Sequence, residues 1–252
     1  EASRGKYIVR LDAHCIPQPD YVERCVAALE AGAGTMVGGV WDIRPGGAGW
    51  ISRSIAVVAS HPLGAGDAHY RISSQAGRVD TVPFGAYPRS LVEQVGPYDE
   101  TLLTNEDYEF NTRIRQKGGV VWLDPAIRSV YFARSSFSGL ARQYWRYGFW
   151  KMRMLRRYPG SLRWRQAVPA LFVMSLVVLV LGSVFPPIGA VVRLALAGEL
   201  IVYFSGLLLA GLHAAVRRRD PLLAVGVPLG IATLHLSWGS GFLWSLLLSL
   251  FQ

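Results

Sequence analysis

Cysteine is scarce: Cys15 and Cys25 are the only two in 252 residues. Two thiols in a chain of this length build no disulfide framework. That excludes the stapled secreted scaffolds and fits a soluble part kept in a reducing, cytosolic compartment. Acidic residues are missing from one long region. No Asp or Glu occurs between Pro125 and Gly198, although Arg142, Arg146, Lys151, Arg153, Arg156, Arg157, Arg163 and Arg165 all fall there. The formal net charge is +9, yet its placement argues against nucleic acid as the partner. The cations crowd just before a long apolar run, and Arg217, Arg218 and Arg219 form a second cluster between two further runs. Cytoplasmic flanks of membrane spans are charged in this way. The chain also opens at Glu1 rather than Met, shows no secretory signal, and runs almost at once into a strand. The expectation is that an N-terminal part precedes it.

What is present is apolar and periodic. The hydrophobic fraction is 51%, enough for one soluble domain and a membrane portion. Lys6 to Leu11, Thr35 to Val40, Val79 to Val82 and Val120 to Leu123 read as short buried strands, the last stopped by Asp124-Pro125. Between them lie helix signals. Asp20 with Glu23 forms a capping box, and Val22, Cys25, Val26 and Leu29 then face inward. Further helices are expected from Trp50 to Ser60, Ser90 to Val95 and Asn105 to Lys117, with His61 to Arg78 a long loop. Strands alternating with helices predict an α/β domain. Ser138 to Arg157 reads as an amphipathic helix of aromatics and cations suited to a headgroup plane. Three apolar stretches follow, at about 167–185, 190–212 and 222–250, each near or above the ~20 residues a spanning helix needs. The basic flanks put the soluble domain on the cytoplasmic side.

Few residues have the chemistry and placement of a site. Asp12 and His14 follow an apolar strand, at the carboxyl edge where open α/β sheets bind ligands. One apart in a loop, they can aim at a single divalent cation, Mg²⁺ or Mn²⁺; taken alone, the pair suits better a strand-end Asp in a turn before Pro17, with His14 on the surface. Asp107 can act as a general base, with Glu106 and Glu109 as like charges nearby, or it can cap its own helix in the pattern Thr104-x-x-Asp107. Gln143 and Arg146 stand one turn apart on a helix face, with Tyr147 beside them. Arg146 can grip a diphosphate, or the segment can be an interfacial helix whose aromatics and arginines prefer headgroups. Within the spans, Glu199 reads as an interfacial residue and His235 is left open. Gly226-x-x-x-Gly230 reads as close helix packing.

Taken in order, these segments resemble the family 2 glycosyltransferases, and within them the membrane-bound succinoglycan-type exopolysaccharide enzymes. The resemblance lies in Arg10-Leu11-Asp12-Ala13-His14, in Val79 through Tyr87, in Asn105 through Arg115, in Gln143-Tyr144-Trp145-Arg146-Tyr147-Gly148 and in His235 to Phe242. It implies a partial GT-A (Rossmann-like) nucleotide-sugar domain over 1–135, an interfacial helix with its basic flank over 136–165, and a membrane region over 166–252 in a bacterial inner membrane. It implies inverting transfer of a sugar, expected to be glucose, from a UDP-sugar to a polyprenyl-diphosphate-linked glycan. Asp12 would hold a metal-bound diphosphate, with His14 where the family has a second acid. Asp107 matches the family's base, Glu106 its neighbour, and Phe84-Gly85-Ala86 the segment lining the sugar and acceptor pocket. Gln143 and Arg146 match the Gln-x-x-Arg-Trp signature, but Tyr147 replaces the Trp, which favours addition of a single sugar over processive synthesis. The family's first strands, which hold the uridine, precede Glu1, so the 252 residues alone are expected to be inactive. Two rivals remain: a polyprenyl-phosphate glycosyltransferase, and a non-catalytic membrane scaffold or transporter.

Overall fold

The computed structural model describes residues 4–13 and 15–251. The chain divides into two compact units, each discontinuous in sequence: Glu1–Arg44 with Asp67–Phe132, and Pro45–Gly66 with Ala133–Gln252. The strands are β1 (Tyr7–Val9), β2 (Cys15–Pro17), β3 (Met36–Pro45), β4 (Gly77–Arg78), β5 (Ala86–Pro88) and β6 (Val121–Ala133). The helices are α1 (Tyr21–Glu30), α2 (Trp50–Ala59), α3 (Pro62–Ala65), α4 (His69–Ile72), α5 (Ser90–Val95), α6 (Glu106–Gln116), α7 (Phe137–Arg157), α8 (Trp164–Gly182), α9 (Gly189–Arg218) and α10 (Leu223–Ser249).

The first unit is built on one sheet with strand order β1-β5-β3-β6-β2, and β4 pairs with β6. The ladders β1–β5, β3–β5, β2–β6 and β4–β6 are antiparallel. Side chains alternate across a strand, and here the alternation separates two cores. Met36, Val40 and Tyr87 join Leu91, Val95, Phe110 and Ile114 of α5 and α6 on one face. Val37, Ala86 and Ile127 join Tyr21, Cys25 and Ala28 of α1 on the other. The sheet is thus covered on both faces, as an α/β fold requires. Cys25 is fully buried, and that burial pushes its thiol pKa up to about 12.

Several expected boundaries shift, each for a local reason. Asp20 does occupy the N-cap of α1, but its carboxylate bonds Arg24 instead of capping a backbone N–H. Val79 to Val82 is not a regular strand; the ladder covers Gly77–Arg78, and only Val79 N–H continues it, to the Val121 carbonyl at 3.0 Å. Asp124-Pro125 does not end β6. Pro125 lies between the stretch paired with β4 (Trp122 and Leu123) and the stretch paired with β2 (Ser129 to Tyr131), so no ladder bond to either needs its missing N–H. The loop expected from His61 to Arg78 contains α3 and α4. The signal for α3 was present: His61 Nδ1 accepts Leu63 N–H at 3.1 Å, with Pro62 at the first helical position.

Among the described residues, the second unit contains three helices long and apolar enough to cross a membrane: α8, α9 and α10. The most apolar window of α8 is 11% buried, that of α9 17%, and that of α10 39%, so α10 is the central helix and the others are left to lipid. α9 continues through Arg217 and Arg218 before Arg219 turns left-handed at φ 53°. α7 is amphipathic, and Leu140, Tyr144, Gly148, Lys151 and Met154 form its buried stripe. It runs against α10 with backbone nearly touching backbone. A Cβ on Gly148 would stand 2.0 Å from the Trp238 carbonyl oxygen, and one on Gly241 would stand 2.2 Å from the Trp145 oxygen.

The segment 45–66 belongs to this second unit, although it interrupts the sheet-forming sequence. Arg53 pairs with Asp220 at 2.9 Å. Ser54 and Val58, one turn apart on α2, seat on Gly226 and Gly230, as the small-x-x-x-small spacing implied. His235 then bonds the Leu63 carbonyl at 2.8 Å and the Tyr203 hydroxyl at 3.2 Å. A carbonyl only accepts, so Nε2 carries the proton and Nδ1 accepts from tyrosine. Glu199 accepts from the Ser175 hydroxyl at 2.5 Å, between α9 and α8. Both polar residues of these apolar helices are therefore accounted for by hydrogen bonds within the second unit.

Gly148→Ala should lower the thermal midpoint, at a cost of about 1–3 kcal/mol, by forcing α7 from α10. Gly206→Ala, where nothing lies within 4 Å of an added Cβ, should be neutral or stabilising by up to about 1 kcal/mol. Equal effects in a melt of the detergent-solubilised protein would disprove the close crossing.

Candidate functional site

The site begins in the core of the sheet unit. Phe110 of α6 is fully buried, and the Tyr98 ring stacks on it at 4.5 Å. The Arg10 guanidinium lies 5.1 Å from the Tyr98 ring centroid, a cation–π contact. β1 delivers Arg10: Val9 is in register with Ala86, and the Arg10 N–H donates to the Gly85 carbonyl at 3.2 Å. α6 delivers Glu106 and Asp107 in its first turn, where carboxylates complement the positive end of the helix.

Arg10 binds three carboxylates. Its guanidinium donates to Asp12 Oδ1 at 3.1 Å and to Glu106 Oε1 at 3.0 Å, and also contacts Asp107 Oδ1. Arg10 and Glu106 are 96 positions apart in sequence, so the fold alone makes this cluster. Burial acts to lower the Arg10 pKa, but Asp12, Tyr98 and Glu106 hold it above its ordinary value. The cluster remains partly open, with side-chain exposures of 22% for Arg10 and 29–32% for the three acids. It is a half-buried acidic site organised by one cation.

The helix-cap alternative for Asp107 does not occur. Asn105 takes the N-cap position in a left-handed conformation at φ 69°, without a side-chain cap bond, and the Thr104 hydroxyl bonds the Leu103 carbonyl. Glu109 does not join the cluster either: it is buried and paired with Arg113 at 2.6 Å. α6 is tied to the segment before Phe84 by Tyr108 donating to Asp80 at 2.8 Å and by Asn111 donating to Thr81 at 3.1 Å. Asn111 also donates to the Asp107 carbonyl at 2.7 Å, which fixes the first turn.

Phe84, Gly85 and Ala86 are buried, so what they can present to a ligand is mainly backbone. Phe84 has φ 49°, and its carbonyl accepts the Tyr21 hydroxyl at 2.9 Å. A Cβ on Gly85 would meet the tip of the buried Met36 side chain, which would have to move aside. Beside Phe84 lies an aromatic group that the sequence reading missed. Trp41 stacks on Tyr131 at 4.1 Å, meets Tyr70 edge-on at 4.8 Å and has Phe84 at 5.7 Å, with Arg71 over its ring. Arg10 and Tyr98 were missed too, although Arg10 stands at the end of the same strand that pointed to Asp12.

The structure therefore gathers Asp12, Glu106 and Asp107 and sets the Phe84 segment beside Arg10. Gln143, Arg146 and Tyr147 lie on α7 in the second unit, where Gln143 Nε2 donates to the Tyr147 hydroxyl at 2.9 Å. His14 lies outside the described residues. Among the described residues no three His, Cys, Asp or Glu side chains converge as a cation site. A single carboxylate such as Asp12, here paired with Arg10, has the oxygen chemistry that suits Mg²⁺ or Mn²⁺, which commonly take one or two carboxylates and complete their shell with water and substrate phosphates.

Residues 1–96 match the family model described as Glycosyl transferase family 2. Over 240 residues the chain is 25% identical to Succinoglycan biosynthesis protein ExoA of Rhizobium meliloti (strain 1021), a match covering 94% of this chain and 68% of that protein. Over 251 residues it is 22% identical to the Dolichyl N-acetyl-alpha-D-glucosaminyl phosphate 3-beta-D-2,3-diacetamido-2,3-dideoxy-beta-D-glucuronosyltransferase of Methanococcus voltae, covering 95% of this chain and 70% of that protein.

Arg10→Gln should destabilise the sheet unit by about 1–2 kcal/mol, a modest figure because solvent screens the half-open cluster. Glu106→Gln should be destabilising in the parent and stabilising in the Arg10→Gln background, where it relieves repulsion among acids. Additive effects in a denaturant-melt double-mutant cycle would show that the guanidinium does not couple the carboxylates.

Proposed function

We propose that this chain, which carries a family 2 glycosyltransferase domain and three helices able to cross a membrane, transfers a sugar from a UDP-sugar, glucose by preference, to a polyprenyl-diphosphate-linked glycan in exopolysaccharide synthesis. The observation that carries the reading is the convergence of Asp12, Glu106 and Asp107 on Arg10. A glycosyl transfer needs an acceptor proton removed on one side of the anomeric carbon and a diphosphate stabilised on the other. A cluster with several carboxylates and one positioned cation has the groups for both tasks.

Asp107 is assigned as the base that takes the acceptor hydroxyl proton, with Arg10 and the Asn111 bond to its carbonyl fixing its orientation. Glu106 shares Arg10 and is assigned to substrate binding. Asp12, with His14, would hold Mg²⁺ or Mn²⁺, which when bound supplies positive charge for the departing diphosphate. Phe84, Gly85 and Ala86 contribute backbone to the sugar pocket, and the Trp41 group offers aromatic faces on which sugar rings stack. Gln143, Arg146 and Tyr147 are assigned to acceptor or diphosphate binding from α7. An anchored enzyme meets a lipid-linked acceptor at fixed height and orientation, which removes much of the entropy cost of encounter.

The name of the Methanococcus voltae relative gives a dolichyl-linked sugar phosphate as what that protein acts on. This supports a lipid-linked acceptor already bearing a sugar over a bare polyprenyl phosphate. The name of the Rhizobium meliloti relative supports the exopolysaccharide setting; the bacterial inner membrane and the cytoplasmic catalytic domain of this proposal rest on the apolar helices and their basic flanks.

In the full-length enzyme Asp107→Asn should lower kcat by about 10²–10⁴-fold and leave UDP-sugar affinity within a few-fold of the parent. Steady-state transfer together with calorimetric donor binding makes the comparison. Loss of donor binding with an intact turnover rate would mean that Asp107 holds substrate and another group removes the proton.

A further inference from the structure

The second unit contains a groove, about 490 Å³ in volume, formed by three helices. Ala141, Arg142 and Trp145 of α7 line one side, Val173 of α8 another, and Leu236 and Ser240 of α10 the floor. The faces of α7 explain why it exists. Leu140, Tyr144 and Gly148 are buried, and Gly148 brings the helix backbone against Trp238 of α10. Gln143 and Tyr147 bond each other. Ala141, Arg142 and Trp145 fall outside that stripe. Gly239 brings α10 equally close to α8, since a Cβ there would stand 2.3 Å from the Pro169 carbonyl oxygen. Two close crossings on one helix thus hold α7 and α8 apart above Leu236 and Ser240.

The lining is mostly apolar, yet it carries one full positive charge. Arg142 is exposed, and among the described residues its guanidinium has no ion-pair or hydrogen-bond partner. Trp145, exposed at 38%, is held in place by stacking on Phe149 at 5.2 Å. α8, which supplies the second wall, leaves Leu171, Met174 and Val178 exposed as a lipid-facing surface. An apolar slot beside lipid with an unpaired cation in its lining complements an amphiphile whose apolar chain ends in a phosphate.

We propose that this groove binds the isoprenoid chain of a polyprenyl-linked acceptor, with Arg142 meeting its phosphate. The inference rests on the reading of the acceptor as lipid-linked, and it adds where the lipid is held. Within the second unit, α7 with α8 and α10 then selects the lipid carrier of the acceptor.

The test is equilibrium binding of radiolabelled farnesyl phosphate to the full-length protein in phosphatidylcholine nanodiscs, with empty discs subtracted. Ala141→Phe and, separately, Ser240→Leu fill the groove from two helices, and thermal melts confirm that each variant folds. Both should weaken farnesyl phosphate binding by about tenfold or more. Arg142→Gln should weaken farnesyl phosphate but leave farnesol, which lacks the phosphate, unchanged. Phosphatidylglycerol added to the discs should not displace the probe. Binding unaltered by both groove-filling variants would overturn the proposal, as would equal displacement by phosphatidylglycerol, which would make the groove a general lipid site. Sugar transfer to lipid-linked glycan with no farnesyl phosphate binding would overturn the groove and leave the transferase reading. Groove-dependent binding with no transfer to any acceptor would support the groove and count against the transferase reading.

Discussion

One guanidinium holds the candidate site together. Arg10 leaves β1 at the edge of the sheet, rests on Tyr98, and meets Asp12, Glu106 and Asp107 together. Without a cation, three half-buried acids would repel one another where the first turn of α6 meets the end of β1. With it, distant parts of the chain are fixed around one opening. The support runs down into the core through Tyr98 and Phe110, so the acidic cluster stands on packed aromatic rings rather than on a free loop. Sites supported in this way keep their geometry when ligands come and go.

The membrane unit follows a different constraint. Lipid tails are as apolar as leucine, so helices associate there through close packing and internal hydrogen bonds. α10 supplies the close packing with glycines: Gly226 and Gly230 receive α2, Gly239 receives α8, and Gly241 receives α7. The hydrogen bonds of His235 with Tyr203 and Leu63, and of Glu199 with Ser175, satisfy polar groups that lipid would leave bare. Segment 45–66 shows the cost of interrupting the sheet sequence: ten residues of apolar helix can be placed there only because α10 has a glycine face to receive them.

Much of this was legible beforehand. Long periodic segments such as α7 and the three spans announced themselves by composition, and α5 by Gly96-Pro97 behind it. Asp12 and Asp107 were legible as candidates because Asp12 follows an apolar strand and Asp107 stands at the mouth of a helix. What could not be read was pairing. β2 is three residues long and exists only because β6 offers it an edge, and β6 passes through a proline because its neighbours there change. The role of Arg10 and the aromatic group around Trp41 likewise arise from contacts between residues far apart in sequence. α3 was a different kind of miss, since its cap and its proline were in plain view.

The most direct measurement is chemical cross-linking across the cluster. In a background with Cys15 and Cys25 replaced by serine, Asp12→Cys together with Glu106→Cys places two thiols on either side of Arg10. Convergence on Arg10 predicts rapid intramolecular closure by a short bis-maleimide, lost when Glu106→Cys is exchanged for Glu93→Cys on α5. Failure of the 12–106 pair to close in a folded protein would contradict it.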